Sequence, residues 1–359
     1  MRLLRYVFIL IGFLSTSCMV TRTTWYNFTD ITNYKIFPSR PLPASSVPFR
    51  FTEAQREPGQ ILGRISLQKI DSIANLDKSV AILIIRNDSL LFEKYYHDYS
   101  VASTVASFSI AKSYTSALIG VAMADGYIKS INDKLVTYVP ELSRSRGFEK
   151  ITLRHLLTMT SGIRPSESRL KSWGLDAKLY YGRHLYNYLM QLKVEGEPGK
   201  KFAYTSVNTQ LLGLVLERVT GKTVTEYLNE RIWRSLGTEY DASWSIDKKK
   251  DGHEKTFCCI NAAARDFAKF GRLFLHRGNW NGVQLVPADW VDESTSSCDS
   301  EPVPYYKYHW WISENGYYAS GLHGEYIYVN PAKGLIMIRL GKAETRSWPR
   351  IFDQISTLM

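Results

Sequence analysis

This chain of 359 residues has strand-forming sequence near both ends and helix-forming sequence between them, which restricts the folds open to it. Val80-Ala81-Ile82-Leu83-Ile84-Ile85 and Leu90-Leu91-Phe92 flank Asn87-Asp88, so two strands around a tight turn are expected there. Residues 305–342 are aromatic and β-branched, with turns at Glu314-Asn315-Gly316 and Asn330-Pro331, and read as about three strands. Over 63–76, Ile65, Ile70, Ile73 and Leu76 recur at helical spacing. A largely apolar helical pattern runs from about Ser107 to Ala124 and stops at Asp125-Gly126. Residues 150 to about 240 read as helices and loops, and a short helix from Trp348 closes the chain. The expected class is therefore α/β of the α+β kind. One antiparallel sheet is assembled from both chain ends and flanked by helices, with a mostly helical insertion over about 125–260.

The first residues carry a different kind of information. Arg2 and Arg5 precede a short apolar run, Tyr6 to Leu14, and Leu14-Ser15-Thr16-Ser17 leads into Cys18. That run is too short to cross a hydrocarbon layer of ~30 Å, which takes about 20 residues. It fits a cleaved export signal over 1–17. A Cys directly after the apolar run resembles a bacterial lipoprotein signal, which implies lipidation at Cys18 and an exported protein held to a membrane by its lipid. Residues 18–60 contain Pro38, Pro41, Pro43 and Pro48 and read as a tether that wraps onto the body.

A net charge of +11 invites a nucleic-acid reading, but the Lys and Arg are scattered. The densest run, Lys248-Lys249-Lys250, ends at Asp251 and no recognition motif accompanies it, so no nucleic-acid partner is expected. Beyond Cys18 stand Cys258, Cys259 and Cys298, an odd count that allows at most one internal bridge. Buried thiols in a packed segment are the expectation. His-Glu-x-x-His, clustered His/Asp and Gly-x-Ser-x-Gly are missing from the sequence, which gives no support to a metallohydrolase or an α/β-hydrolase.

Chemistry enters at Ser109-Ile110-Ala111-Lys112. Residues three apart share a helix face, so the hydroxyl and the amine can meet. At a helix start the Ser also lies beside unpaired backbone N–H groups suited to an oxyanion. Burial would lower the Lys pKa and let it take the Ser proton. The same spacing recurs at Ser66–Lys69, Ser168–Lys171 and Ser245–Lys248, but only Ser109 opens a long apolar helix.

Ser107-Phe108-Ser109-Ile110-Ala111-Lys112-Ser113 resembles the nucleophile motif of the serine β-lactamase and penicillin-binding-protein superfamily. Three further stretches are similar to that family in the same order: Ile151 to Ile163, Asn261 to Gly271, and Trp290 to Ser294. The resemblance implies a β-lactamase/transpeptidase-like hydrolase domain over 61–345, with residues 346–359 as a helix packed on the sheet. It also implies a general acid/base tyrosine about a hundred residues after the Ser. Tyr204, 95 residues on in Phe202-Ala203-Tyr204-Thr205-Ser206, fits that place. Where class C β-lactamases have Tyr-x-Asn, this chain has Ser206, and Tyr-x-Ser resembles the 6-aminohexanoate-dimer hydrolase branch. The family's Lys-Thr-Gly or His-Thr-Gly strand has its counterpart in Leu322-His323-Gly324, without the cation. By the resemblance, Gly324 would admit the substrate backbone and the Glu325 N–H would be a second oxyanion donor. His323 would be either a substrate contact or a structural hydrogen-bonder.

Ser109, Lys112 and Tyr204 are thus expected as the catalytic set, and Ser206, His323, Gly324 and Glu325 as oxyanion or substrate-binding residues. No metal and no organic cofactor is implied. The substrate would be a small-molecule or peptide-like ester or amide. The alternatives are a DD-peptidase-like cell-wall enzyme and a penicillin-binding-type sensor without turnover.

Overall fold

The computed structural model describes residues 29–54, 67–163, 174–297 and 302–359. Cys18 and Cys298 lie outside them, as do the export signal and the Ser66 and Ser168–Lys171 repeats. The first strands are β1 (Ser39–Leu42), β2 (Thr52–Glu53), β3 (Ser79–Arg86), β4 (Ser89–Tyr95) and β5 (Val105–Ala106). After the helical middle come β6 (Ala242–Ser245), β7 (Ile260–Ala262), β8 (Asn279–Trp280) and β9 (Val283–Gln284). The last are β10 (Tyr306–Lys307), β11 (Trp310–Ile312), β12 (Tyr317–Ser320), β13 (Tyr326–Asn330) and β14 (Leu335–Gly341).

Eight strands form the main sheet in the order β10-β11-β12-β13-β14-β3-β4-β2. The two chain ends meet at β14 and β3, which pair antiparallel over Leu335↔Arg86 to Gly341↔Ser79. Both strands are buried almost throughout because each face of the sheet is covered. Helix α1 (Leu67–Leu76) and the C-terminal helix lie on one face, with Phe352 and Ile355 packed among Ile82, Ile84, Tyr328 and Met337. On the other face Leu83, Ile85, Ile336 and Ile338 join the larger core. That core includes helix α2 (Ala111–Ala124), helix α3 (Ser206–Thr220) and helix α4 (Ala264–Leu275). The sheet built from both ends is as the sequence predicts.

Two points differ from the expectation. Residues 305–342 form five strands, because Tyr308 and His309 both adopt left-handed backbone (φ 40° and 68°) and turn β10 into β11. A second sheet, β1-β6-β7-β5, runs through the middle of the chain, where mainly helices were expected. It uses the N-terminal wrap as an edge strand, pairing Ser39–Leu42 with Ala242–Ser245. Ser245 therefore ends a strand, and its spacing to Lys248 is not on a helix. Among the described residues no helix is long and apolar enough to cross a membrane.

Close helix contacts fix the site's supports. Gly213 of α3 lies so near Thr256 that a Cβ there would stand 2.5 Å from its side chain. Gly213→Val should therefore destabilise the fold by about 1–3 kcal/mol, because a rigid branched side chain cannot be absorbed there. A denaturant-unfolding midpoint equal to wild type would refute this.

Candidate active site

Phe108 holds left-handed backbone (φ 44°) at the start of a short 3-10 turn, Phe108–Ile110, that runs straight into α2. A bulky residue seldom adopts that conformation unless its surroundings impose it. Here the Ser107 N–H donates to Ile260 O (2.8 Å) and the Ala106 N–H to Ile31 O (3.0 Å). Ser109 therefore sits at the turn itself, its side chain half-buried, with buried helix behind it. Helix α2 stays buried from Ala111 to Ala122, and two of its hydroxyls find backbone acceptors on other segments. Ser113 Oγ donates to His309 O (2.7 Å), and Thr115 Oγ1 to Thr256 O (3.0 Å).

Lys112 is 1% exposed. Its Nζ donates to Ser109 Oγ at 2.9 Å and to Phe257 O at 2.8 Å. The ammonium also lies 5.1 Å from the Tyr204 ring centroid and 5.7 Å from that of Phe257, within cation–π range. Tyr204 belongs to the loop that enters α3, tied to the Ile151–Ile163 stretch by Ala203 N–H···O Met159 (2.8 Å). Its ring stacks on Trp311 (5.8 Å) and meets the edge of Tyr306 (5.9 Å). Ser109, Lys112 and Tyr204, predicted from motifs far apart in sequence, are thus brought together. Ser206 is the first residue of α3, half-buried and two residues from Tyr204.

The Gly321–Glu325 segment departs from expectation. It is a turn between β12 and β13, closed by Gly321 N–H···O Glu325 at 2.7 Å, and not part of a cleft strand. Gly324 is left-handed (φ 82°), and a Cβ there would stand 2.2 Å from Arg339 Nη1. The arginine beneath it thus requires a glycine at this position. Arg339 is fully buried and donates to Ser79 Oγ (2.9 Å), His323 O (3.0 Å) and Asp77 O (2.7 Å). His323 packs edge-on against Phe108 (4.9 Å) and shares a hydrogen bond with Thr29 Oγ1 (3.1 Å). Burial pushes its imidazole below the ordinary pKa. Of the two expected roles, these contacts fit the structural one.

Glu325 is buried, and its carboxylate accepts the N–H of His323 (3.0 Å), with its own N–H close by. The Gly324 N–H donates to Gly321 O (3.3 Å). The N–H groups of Leu322 and Glu325 reach no acceptor on another residue among the described residues, so the Glu325 N–H expected as an oxyanion donor is not taken up by a neighbour. Gly321 lies against the backbone before the candidate nucleophile, since a Cβ on Gly321 would be 2.7 Å from Ser107 O.

Sequence reasoning missed Arg339, the Phe257 carbonyl and Trp311. A backbone acceptor has no side-chain signature, and Arg339 lies in an otherwise apolar strand, Leu335–Gly341, where a lone charge was the available sign. Cys258 and Cys259, expected as buried thiols, are buried but joined by a disulfide.

Burial raises the Glu325 carboxyl from its ordinary 4.5 to about 8; the two N–H donors and Arg339 oppose the rise, and Glu344 adds to it. Between those values the folded state keeps a proton that the unfolded chain releases, so stability falls as pH rises from 4.5 toward 8. The slope is at most about 1.4 kcal/mol per pH unit. Glu325→Gln keeps an uncharged acceptor and should remove this loss, raising Tm over wild type at the alkaline end of the window and not at the acid end. Parallel Tm–pH curves for the two proteins would refute it.

A Beta-lactamase family profile matches residues 72–354. A 6-aminohexanoate-dimer hydrolase of Paenarthrobacter ureafaciens is 25% identical over 337 residues, covering 86% of this chain and 85% of that protein. Among solved structures, a Bacillus anthracis protein assigned as a 6-aminohexanoate-dimer hydrolase superposes with a TM-score of 0.79 at 23% identity, covering 91% of each chain. A family VIII carboxylesterase does so with a TM-score of 0.64 at 15% identity, covering 81% of this chain and 96% of that one. With the profile spanning most of its length, the chain belongs to the β-lactamase family of hydrolases.

Proposed function

We propose that the chain is a serine hydrolase that cleaves ester or amide bonds through a covalent acyl-enzyme on Ser109. The observation that carries this reading is the Lys112 amine, almost wholly buried and 2.9 Å from Ser109 Oγ. In the first step Ser109 Oγ bonds to the substrate carbonyl carbon and its proton passes to the Lys112–Tyr204 pair, which enters the step one proton short, as a neutral amine or a phenolate. The carbonyl π electrons move onto oxygen, which is met by the N–H of Ser109. The second donor is the N–H of Glu325, at the end of the 321–325 turn. The tetrahedral adduct then expels the alcohol or amine, which takes the proton back from the pair. Water repeats the sequence on the acyl-enzyme and releases the acid.

The substrate class follows from what surrounds this centre. The exposed side chain of the turn is Leu322, at 53%, and its neighbour His323 is held neutral by burial. Neither offers a cation to a substrate carboxylate. Ser206 brings a hydroxyl where an amide could clamp a substrate from both sides. The name of the Paenarthrobacter relative, a 6-aminohexanoate-dimer hydrolase, supports a linear substrate. Linear esters and amides are therefore favoured over β-lactams and D-Ala-terminated peptides.

A fluorophosphonate probe should label wild type and leave Ser109→Ala unlabelled; equal labelling of both would overturn the assignment. Tyr204→Phe should lose about 10²–10⁴-fold in kcat if the phenol moves the proton. Turnover of p-nitrophenyl esters or the 6-aminohexanoate dimer without nitrocefin or D-Ala-D-Ala cleavage is the expected profile, and the reverse profile would sink the substrate reading. At the other end of the chain, Cys18 is read as the lipidated residue of an exported, membrane-anchored protein. Radiolabelled palmitate should enter the wild-type precursor expressed in a bacterial host and be lost in Cys18→Ser; incorporation equal in both would refute the anchor.

A further inference from the structure

Residues 255–260 hold the helix bearing Lys112 and the turn before it. Phe257 O accepts from Lys112 Nζ (2.8 Å), Thr256 O from Thr115 Oγ1 (3.0 Å), and Ile260 O from the Ser107 N–H (2.8 Å). Between Phe257 and Ile260 lie the two bridged residues, Cys258 and Cys259. Cys259 is held in left-handed backbone at φ 73°. The same few residues are pinned from outside by Trp244 Nε1, which donates to Lys255 O (3.1 Å) and Cys258 O (3.0 Å). Ser245 N–H donates to Cys259 O (3.0 Å).

A cross-link stabilises a fold mainly in proportion to the loop it closes. A bridge between neighbours closes the smallest loop possible, so that mechanism gives it almost nothing. What it can do is fix local backbone. Here the backbone it fixes supplies one of the two oxygens that hold the Lys112 amine, and three residues further on, the carbonyl that holds the turn before Ser109.

We propose that the Cys258–Cys259 bridge is a positioning element for the Ser109–Lys112 pair, and that opening it by a dithiol lowers the hydrolase activity. The proposal rests on Ser109 being the nucleophile. A dithiol reagent opens the bridge by exchange: its thiolate bonds to one cysteine sulfur and the other cysteine leaves as thiolate. The reagent's second thiol then attacks the mixed disulfide, closing the reagent's own disulfide and freeing the first cysteine. The bridge gains two electrons and two protons, and the reagent loses the same. With the bridge open, Cys259 is free to leave the left-handed region, the Phe257 carbonyl moves off the amine, and proton transfer from Ser109 loses its geometry.

The test compares oxidised wild type, dithiothreitol-treated wild type and C258S/C259S, with peptide mass spectrometry reporting the state of the bridge. Fluorophosphonate labelling at Ser109, ester kcat and KM, the pH–rate profile and Tm are read for each. Opening the bridge should slow labelling and kcat by roughly tenfold to a hundredfold. KM should change little, the pH–rate profile should be displaced, and Tm should stay near that of the oxidised protein. Reoxidation should restore the wild type, and the double variant should ignore dithiothreitol. Equal labelling rates with superimposable pH profiles would overturn the proposal while leaving the nucleophile intact. So would two free thiols in the active protein, or a rate loss that only tracks the unfolded fraction. No label at Ser109 in oxidised wild type would instead sink the nucleophile assignment and this inference with it.

Discussion

An ammonium taken out of water without oxygen partners costs several kcal/mol, and Lys112 is 1% exposed. Its surroundings are arranged to meet that cost at a place where the amine also touches a hydroxyl. Ser109 Oγ and Phe257 O accept from it, and the faces of Tyr204 and Phe257 lie within cation–π range. These groups come from three separate parts of the chain: the start of α2, the loop before α3, and the stretch ahead of β7. The small second sheet brings the last of them in, because β5 and β7 pair at Val105↔Ala262 and Ala106↔Asn261 immediately before the nucleophile turn. A lysine at this position would otherwise be a defect in an apolar helix. On the proposed mechanism that lysine serves as the base for Ser109.

A second buried charge governs the opposite wall of the cleft. Arg339 rises from the middle of β14 into the turn between β12 and β13, and its guanidinium satisfies the His323 and Asp77 carbonyls together with the Ser79 hydroxyl. Burial pushes this guanidinium down from its ordinary pKa, while Glu325, Glu344 and Asp77 hold it up. The turn thus has its shape set from below by a rigid planar donor, which is what a guanidinium provides and an ammonium does not. The carboxylate of Glu325 ties down the N–H of His323 from the same side.

How much of this was legible in the sequence depends on how far apart the interacting groups are. Ser109 and Lys112 share a helix face, and their pairing follows from helix geometry once the apolar pattern to Ala124 is noticed. The meeting of β3 with β14 follows from hydrophobic strands at both ends that need partners. Tyr204 was legible through the motif around it and not through spacing, since most of the 23 tyrosines have no such context. The turn at Gly321–Glu325 was misread because glycine serves equally where a ligand approaches and where a side chain such as Arg339 approaches, and only tertiary structure distinguishes the two. The Phe257 carbonyl and the Cys258–Cys259 bridge were invisible for a related reason: backbone acceptors and cysteine oxidation state leave no periodic trace.

The same distinction bears on what separates this chain from its relatives. The sheet and the helix bearing Ser109 are framework, and solved structures at 15% to 23% identity keep that framework with TM-scores of 0.64 to 0.79. Chemistry at the carbonyl needs only the nucleophile, its base and the donors. The choice of substrate must then reside in side chains that surround this centre without building it. Here they are aromatic and neutral: Trp311 stacked on Tyr204, Tyr305 and Tyr318 parallel to Trp311 on either side, and Leu322 exposed beyond the turn. Trp311 and Tyr318 are direct cross-strand partners on β11 and β12, so the row is fixed by sheet register and does not depend on a loop. On the proposed chemistry this row offers an apolar wall to a linear substrate, while the proton transfer itself falls to the buried Lys112 beside Ser109.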